Sequence, residues 1–160
     1  MSIEFAVEET IHAAPHAVFS VLTDIDNAKR WTPNCVGVER LTPGRFAVGT
    51  RWRETRKMYG GEATEEFEVT RCDPPRRIEL FVDGRKGSSK RGEYRFVYKL
   101  APVEEGTRVT LRGSVSTPGW LWKLVGKMFV GSFKKACVKD LQTMRAYIEA
   151  RAFEDTRIPA

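Results

Sequence analysis

The chain has 160 residues, of which 41% are hydrophobic and 30% charged, and its formal net charge is +6. This length favours one domain with a substantial core, and no apolar run approaches the length that would span a bilayer. The first residues lack the features of a secretory signal and the three cysteines show no CxxC spacing, so we expect reduced thiols and a cytoplasmic location.

The chain is predicted to open with a strand and two short helices. Residues 3–11 largely alternate between apolar and polar side chains, which is the period of a half-buried strand. Ala14-Pro15 then begins a helix, since proline suits the first helical turn. A second short helix is expected to end near Trp31, before Pro33.

Six further segments have the character of strands separated by turns. Their predicted ranges are 36–41, 50–59, 62–71, 78–82, 90–100 and 107–117. The breakers between them are rich in Gly, Pro and Asp, as in Asp73-Pro74-Pro75. Because short turns join successive strands, the sheet is expected to be antiparallel.

The segment from Pro118 to about Arg151 predicts one long basic helix. At about 100° per residue, one face collects an apolar stripe made of Trp122, Val125, Phe129, Phe133, Cys137, Leu141, Met144 and Ile148. The opposite face carries Lys127, Lys134, Lys135, Lys139 and Arg145, with Leu121, Leu124 and Met128 among them. The stripe requires a large apolar partner, which the sheet provides. The apolar residues outside the stripe indicate contact with a ligand, a membrane or another subunit. Alternatively, an ordinary loop of the same chain covers them.

Motifs spread over nearly the whole chain also match one family in their order. They are Ala14-Pro15-His16-Ala17-Val18-Phe19, Val21 to Trp31, Val48-Gly49-Thr50-Arg51-Trp52-Arg53-Glu54, Val69 to Arg77, the series Tyr94, Phe96, Tyr98 and Leu100, and Gly106-Thr107-Arg108-Val109. With these motifs the chain resembles the START-like, helix-grip (SRPBCC) superfamily, in its polyketide cyclase/dehydratase-like branch. The resemblance implies an α+β fold, in which a curved antiparallel sheet of about seven strands wraps around a long C-terminal helix. We expect one domain over residues 1–151 and a flexible tail over residues 152–160.

The resemblance also implies a hydrophobic cavity between the sheet and the long helix. The leading hypothesis is that this cavity binds an apolar or amphipathic small molecule, such as a lipid, an isoprenoid or a polyketide-like aromatic compound. The alternative is a cofactor-independent cyclase or dehydratase that uses polar residues of the cavity, although no catalytic constellation is identified. A third hypothesis is an interaction module whose helix pairs with another protein or with a second copy as a homodimer. Fold alone does not decide between them.

Side-chain parity along the strands predicts which residues face the cavity. On one predicted strand Met58 shares a face with Trp52, Glu54 and Arg56. On the next strand Val69 shares a face with Glu65 and Phe67. The apolar members indicate that these are the inner faces of the sheet. The predicted ligand-binding residues are Trp52, Glu54, Arg56, Glu65, Phe67, Tyr94, Phe96, Tyr98, Trp122, Val125, Gly126 and Phe129. The charged members would act as an acid or base in the cavity, form a structural ion pair, or turn to solvent where the strand ends twist. The tyrosines would orient a ligand or simply pack in the core.

Several other functions find no support in the sequence. His12 and His16 are the only histidines and straddle Pro15, which disfavours a metal site, and no cofactor motif is present. Nucleic-acid binding is not expected, since no known binding motif occurs. Residues 118–151 carry seven Lys or Arg against two acids. This surplus indicates either docking on an acidic membrane or an ordinary solvated helix face.

Overall fold

The computed structural model describes residues 2–58, 60–119 and 122–155, without the side chains of residues 122–125 and 155. The elements follow in the order β1 (Ser2–Ile11), α1 (Pro15–Thr23), a 3-10 helix (Ile25–Arg30), β2 (Cys35–Arg40), β3 (Arg51–Met58), β4 (Gly61–Asp73), β5 (Arg77–Asp83), a 3-10 turn (Gly84–Lys86), β6 (Glu93–Val103), β7 (Gly106–Ser116) and α2 (Trp122–Asp155). The predicted order of strands and helices is therefore confirmed, and the strand boundaries differ from the predicted ones by up to three residues.

Within the described residues, seven strands form one antiparallel sheet in the spatial order β1-β7-β6-β5-β4-β3-β2. The first strand pairs with the last, and every other pair joins strands that are consecutive in sequence. Register shifts occur between Cys35 and Gly37 on β2 and between Val69 and Arg71 on β4. Such bulges increase local twist, which helps the sheet to curve around a helix.

The inner face of the sheet forms the core with the helices. Alternate residues of the strands are buried, among them Ile78, Leu80 and Val82 on β5 and Val109, Leu111 and Val115 on β7. The helix α2 buries Cys137, Leu141, Met144 and Ile148, and α1 buries Val18 and Leu22. The apolar stripe predicted for the C-terminal helix is thus confirmed between residues 137 and 148. Its first two members, Trp122 and Val125, have side chains outside the described part of the structure.

The ends of α2 differ from those that the sequence predicts. Gly119 has φ +121°, which a right-handed helix does not allow, so the helix cannot run continuously from Pro118. At the other end the helix continues to Asp155, into the segment expected to be a tail. Just before this extension, Arg151 Nη1 donates to the hydroxyl of Tyr147 at 2.9 Å and its guanidinium lies over the same ring.

Polar contacts fix the middle of α2 against the opening strand. Arg145, which the sequence places on the basic face, donates from Nη1 to Glu9 Oε1 on β1 at 2.8 Å and from Nε to Glu149 Oε1 at 3.0 Å. Glu149 also accepts from the backbone N–H of His12 at 3.0 Å. Arg145 therefore links the helix to the sheet rather than serving only as a solvated charge.

Candidate ligand-binding cavity

A cavity of about 520 Å³ lies between the sheet and the first half of α2. Its apolar wall comes from alternate residues of β4 to β7 and from one face of the helix. The described residues in this wall are Phe67, Leu80, Val82, Phe96, Leu111, Phe129, Phe133, Ala136 and Cys137. Every second residue of a strand lies on the same face, and so do residues three or four positions apart on a helix. The apolar side chains of the strands and of α2 therefore line the same cavity.

Phe133 is the centre of the aromatic part of the wall. Its ring centroid lies 5.8 Å from that of Phe96, 6.5 Å from Tyr94 and 6.3 Å from Phe129. It also meets Phe5 edge to face at 5.7 Å. These spacings lie in the range of favourable ring contacts, so the aromatic wall is a connected cluster that spans helix and sheet.

Three charged residues form a polar floor in this cavity. Arg56 on β3 donates from Nε to Glu54 Oε1 of its own strand and from Nη1 to Asp140 Oδ2 of α2, the latter at 2.5 Å. Glu54 also accepts from the indole N–H of Trp52 at 3.5 Å. Glu54 and Asp140 are buried, while 27% of the Arg56 side chain remains accessible. One guanidinium is therefore shared by two buried carboxylates.

Burial governs the pKa values of the groups at this floor. Loss of hydration raises the pKa of Asp140, and this effect exceeds the opposing attraction of Arg56. For Arg56 burial acts to lower the pKa, but the charges of Glu54 and Asp140 outweigh burial and raise it. Burial, reinforced by Asp140, raises the pKa of Cys137 to about 12. Burial also raises the pKa of Tyr98. Arg56 thus stays charged, whereas the thiol and the phenol stay neutral.

A second polar group lies where the loop between β5 and β6 meets the cavity. Glu65 Oε1 accepts from the backbone N–H of Ser89 at 2.8 Å and also from the Ser89 hydroxyl. The Ser89 side chain in turn hydrogen-bonds with Tyr94, whose pKa is raised mainly by burial. A Cβ added at Gly87 would lie 2.1 Å from Glu65 Oε2 and 2.7 Å from the Thr64 carbonyl oxygen. Only glycine therefore allows the loop to approach β4 this closely.

The structure brings most of the predicted site residues to this cavity. Those that line it are Glu54, Arg56, Glu65, Phe67, Tyr94, Phe96, Tyr98 and Phe129. Trp52 faces the same side but stacks on Phe67 at 5.3 Å and lines a separate small cavity of about 50 Å³. Gly126 is buried on α2, and its role as space for a ligand stays a prediction. Trp122 and Val125 cannot be placed, since their side chains are outside the described residues.

Several lining residues lie outside the site that the sequence predicts, among them Asp140, Phe133, Cys137 and Ser89. Asp140 follows Phe133 by seven positions, which places both on the same face of a helix, and this was the signal that could have found it. Phe133 and Cys137 were assigned to the inward stripe but not to the site, although the cavity extends to both. Ser89 gave no signal, because only the fold brings its loop onto Glu65.

The outer face of α2 is basic near the cavity. Lys127, Lys134 and Lys135 are exposed, and the side chain of Met128 among them is 79% exposed. In the part of the chain that the structure describes, no helix is both long and apolar enough to cross a membrane.

The seven-stranded antiparallel sheet and the long C-terminal helix define a protein of the helix-grip class. The chain belongs to the polyketide cyclase/dehydrase and lipid transport family, whose model matches residues 2–149. The family resemblance seen in the sequence is therefore confirmed. No curated protein matches the chain significantly.

Solved structures share the fold at low sequence identity. A protein from Thermus thermophilus is 20% identical with a TM-score of 0.77, and the match covers 93% of this chain and 99% of that one. Ginseng major latex-like protein 151 from Panax ginseng is 14% identical with a TM-score of 0.74, covering 91% and 97% of the two chains. The di-domain ARO/CYC StfQ from the steffimycin biosynthetic pathway is 14% identical with a TM-score of 0.77, covering 94% of this chain and 52% of StfQ.

Proposed function

We propose that this protein binds a hydrophobic or amphipathic small molecule non-covalently in the cavity between the sheet and α2. The observation that carries the proposal is the aromatic cavity of about 520 Å³, with a few charged groups at its floor and mouth. Small-molecule sites in proteins have this form, with about 300–1,000 Å³ of mostly apolar space and a small number of polar groups that orient the ligand. Burial of ligand surface against Phe96, Phe129 and Phe133 would provide the affinity.

Native mass spectrometry of the protein purified from its own host tests this proposal. A stoichiometric small molecule that is released on denaturation is the expected result, and its mass would give its chemical class. Purified protein that is empty and also fails to bind apolar fluorescent probes would contradict a binding function.

A matched pair of helix variants locates the binding. Ala136 lines the cavity, so Ala136→Trp should fill the space and abolish probe binding. Ala146 is exposed on the same helix, and Ala146→Trp should leave probe binding unchanged. Equal binding by both variants would place the ligand elsewhere.

A cyclase or dehydratase activity is the second candidate. The arrangement that favours it is the hydrogen-bonded series Glu65, Ser89 and Tyr94 at the cavity, since a carboxylate linked to a phenol provides groups that accept and donate protons. Binding of a reactive chain in a confined space would add catalysis by proximity. Turnover of a poly-β-carbonyl compound that is lost in Glu65→Gln and Tyr94→Phe would support this activity. Unchanged turnover in these two and in Glu54→Gln would remove these residues from the chemistry.

We further propose that the exposed basic face of α2 docks on an acidic membrane surface. Lys127, Lys134 and Lys135 are exposed on the same helix as Met128, so the helix offers both charge and an apolar side chain to a lipid surface. Replacing the three lysines by Gln should abolish sedimentation with phosphatidylserine vesicles. The control replaces Lys99, Arg108 and Arg112 by Gln on β6 and β7, where these side chains are also exposed.

Equal vesicle binding by the two triple variants would contradict membrane docking through α2. A molecular mass that rises with concentration, and that the lysine variant alone abolishes, would assign this face to a homodimer instead.

A further inference from the structure

We propose that the ligand of this cavity is an amphipathic cation, with an aromatic or alicyclic body and a protonated amine. This inference rests on the proposed binding function and adds the charge of the ligand to it. It follows from two features of the lining that are independent of each other, namely the balance of charge and the arrangement of aromatic rings.

The inner lining carries more negative than positive groups. Among the described residues there, the carboxylates of Glu54, Glu65 and Asp140 face a single guanidinium, that of Arg56. The three other charged lining residues, Lys57, Glu62 and Arg91, are exposed, so solvent and salt screen them. A low-dielectric cavity with excess negative charge attracts a cation and repels an anion.

Arg56 is a poor partner for an anionic head group. Its Nε and Nη1 already donate to Glu54 and Asp140, and its one charge is shared between them. A ligand carboxylate or phosphate that bound the remaining N–H groups would bring a third negative charge to this single positive charge inside the cavity, which is costly. A protonated amine would instead supply the charge that the floor lacks.

Glu65 adds a third carboxylate to the lining. Its Oε1 is occupied by Ser89, but Oε2 is buried and has no hydrogen-bond partner within the described residues. A buried carboxylate oxygen without a partner loses its hydration and gains nothing in return. An ammonium group in the cavity would stabilise the negative charge of this carboxylate through space, without contacting Oε2, which is packed against Gly87.

The aromatic wall adds a further preference for a positive charge. Tyr94, Phe96, Phe129 and Phe133 form a connected cluster that lines the same cavity. The face of an aromatic ring is negative and attracts an ammonium group, whereas it offers a carboxylate no such attraction. Aromatic rings and excess carboxylates together select a cation that also has apolar surface.

Three naphthalene compounds that differ only in their polar group test the inference by titration calorimetry. They are 2-(2-naphthyl)ethylamine, 2-(2-naphthyl)ethanol and 2-naphthylacetate. The amine should bind at least about tenfold more tightly than the alcohol, and the acid should bind most weakly. Asp140→Asn and Glu65→Gln should each lower the affinity for the amine about tenfold and leave the affinity for the alcohol within about twofold.

The control variant is Glu149→Gln, which removes a carboxylate of α2 that pairs with Arg145 and does not line the cavity. It should leave all three affinities unchanged. Should Asp140→Asn fail to fold, the order of affinities in the wild-type protein and the effect of Glu65→Gln still decide the question.

The outcomes separate the two proposals. If the alcohol or the acid binds as tightly as the amine, the charge inference is overturned while the binding function stands. If none of the three compounds binds, the charge inference falls together with the proposed binding of aromatic amphiphiles.

Discussion

Arg56 on β3 and Asp140 on α2 are 84 positions apart in the chain, and a hydrogen bond of 2.5 Å joins them across the cavity floor. Glu54 shares the same guanidinium from two positions earlier on β3, since residues i and i+2 of a strand lie on one face. The helix is thereby linked to a strand near the sheet edge opposite β1. The same contact gives the cavity its charged floor, so stability and ligand preference depend on one set of side chains.

Replacing Arg56 should therefore be costly. In Arg56→Met, Glu54 and Asp140 stay buried without a counter-charge, and we expect a loss of about 3 kcal/mol in the free energy of unfolding at neutral pH. Without Arg56, burial raises the pKa of Asp140 further above its unfolded value, so protonation of Asp140 favours the folded state. The stability deficit should shrink as the pH falls from about 7 toward about 4. Urea unfolding at several pH values measures this.

The control for Arg56→Met is Arg53→Met on the same strand. Arg53 pairs with Glu39 and Glu66 at 3.6 and 3.8 Å and its side chain is 46% exposed, so its removal should change stability by less than about 1 kcal/mol. A deficit of Arg56→Met that is equally small, or that grows as the pH falls, would contradict the proposed arrangement of charges.

Phe133→Ala should weaken both the core and the binding of small aromatic ligands. The substitution removes contacts to Phe5, Phe96 and Phe129 and enlarges the cavity. Because Phe133 is only half buried, we expect a loss of about 2–3 kcal/mol in the free energy of unfolding, at the lower end for such truncations. Relative affinity should shift toward bulkier ligands, as calorimetry with naphthalene and phenanthrene derivatives would show. Met128→Ala, on the exposed face of the same helix, should change neither property.

The fold could be predicted from sequence because its signals are local and agree with one another. The alternation along β5 and β7 and the stripe from Cys137 to Ile148 each predict an inner face, and the structure buries both. The first and last residues of α2 were harder to predict. The predicted helix starts at Pro118, whereas the backbone at Gly119 lies outside helical geometry.

Within the candidate site, the strand residues were predicted best, because alternate residues of a strand share one face. Glu54, Arg56 and Glu65 were assigned to the cavity by their position on β3 and β4, and the structure places them there. The partners of these charges could not be assigned by parity. Asp140 comes from a helix and Ser89 from a loop, and both meet the strands only after the chain has folded. Long-range polar pairs of this kind depend on how a helix is placed over the sheet.

Two glycines should respond in opposite directions to an added methyl group. A Cβ at Gly131 of α2 meets no atom within 4 Å, so Gly131→Ala should raise the free energy of unfolding by about 0.5–1 kcal/mol through helix propensity. Gly87→Ala should lower it, because the methyl group would collide with Glu65 and with the Thr64 backbone. Urea midpoints of both variants check the pair. A destabilised Gly131→Ala would show that the helix needs to bend at this position.

Cys137 should be the slowest of the three thiols to react in the native protein. With a pKa of about 12, only roughly one Cys137 thiol in ten thousand is ionised at about pH 8. Cys35 and Cys72 are only partly buried. Because burial raises the pKa of Cys137 above its unfolded value of 9.0, its contribution to stability is complete below about pH 9 and is lost as the pH rises toward 12. Iodoacetamide labelling followed by peptide mapping measures the three rates. Labelling of Cys137 as fast as that of Cys35 would mean that the cavity hydrates this thiol far more than its burial against Asp140 implies.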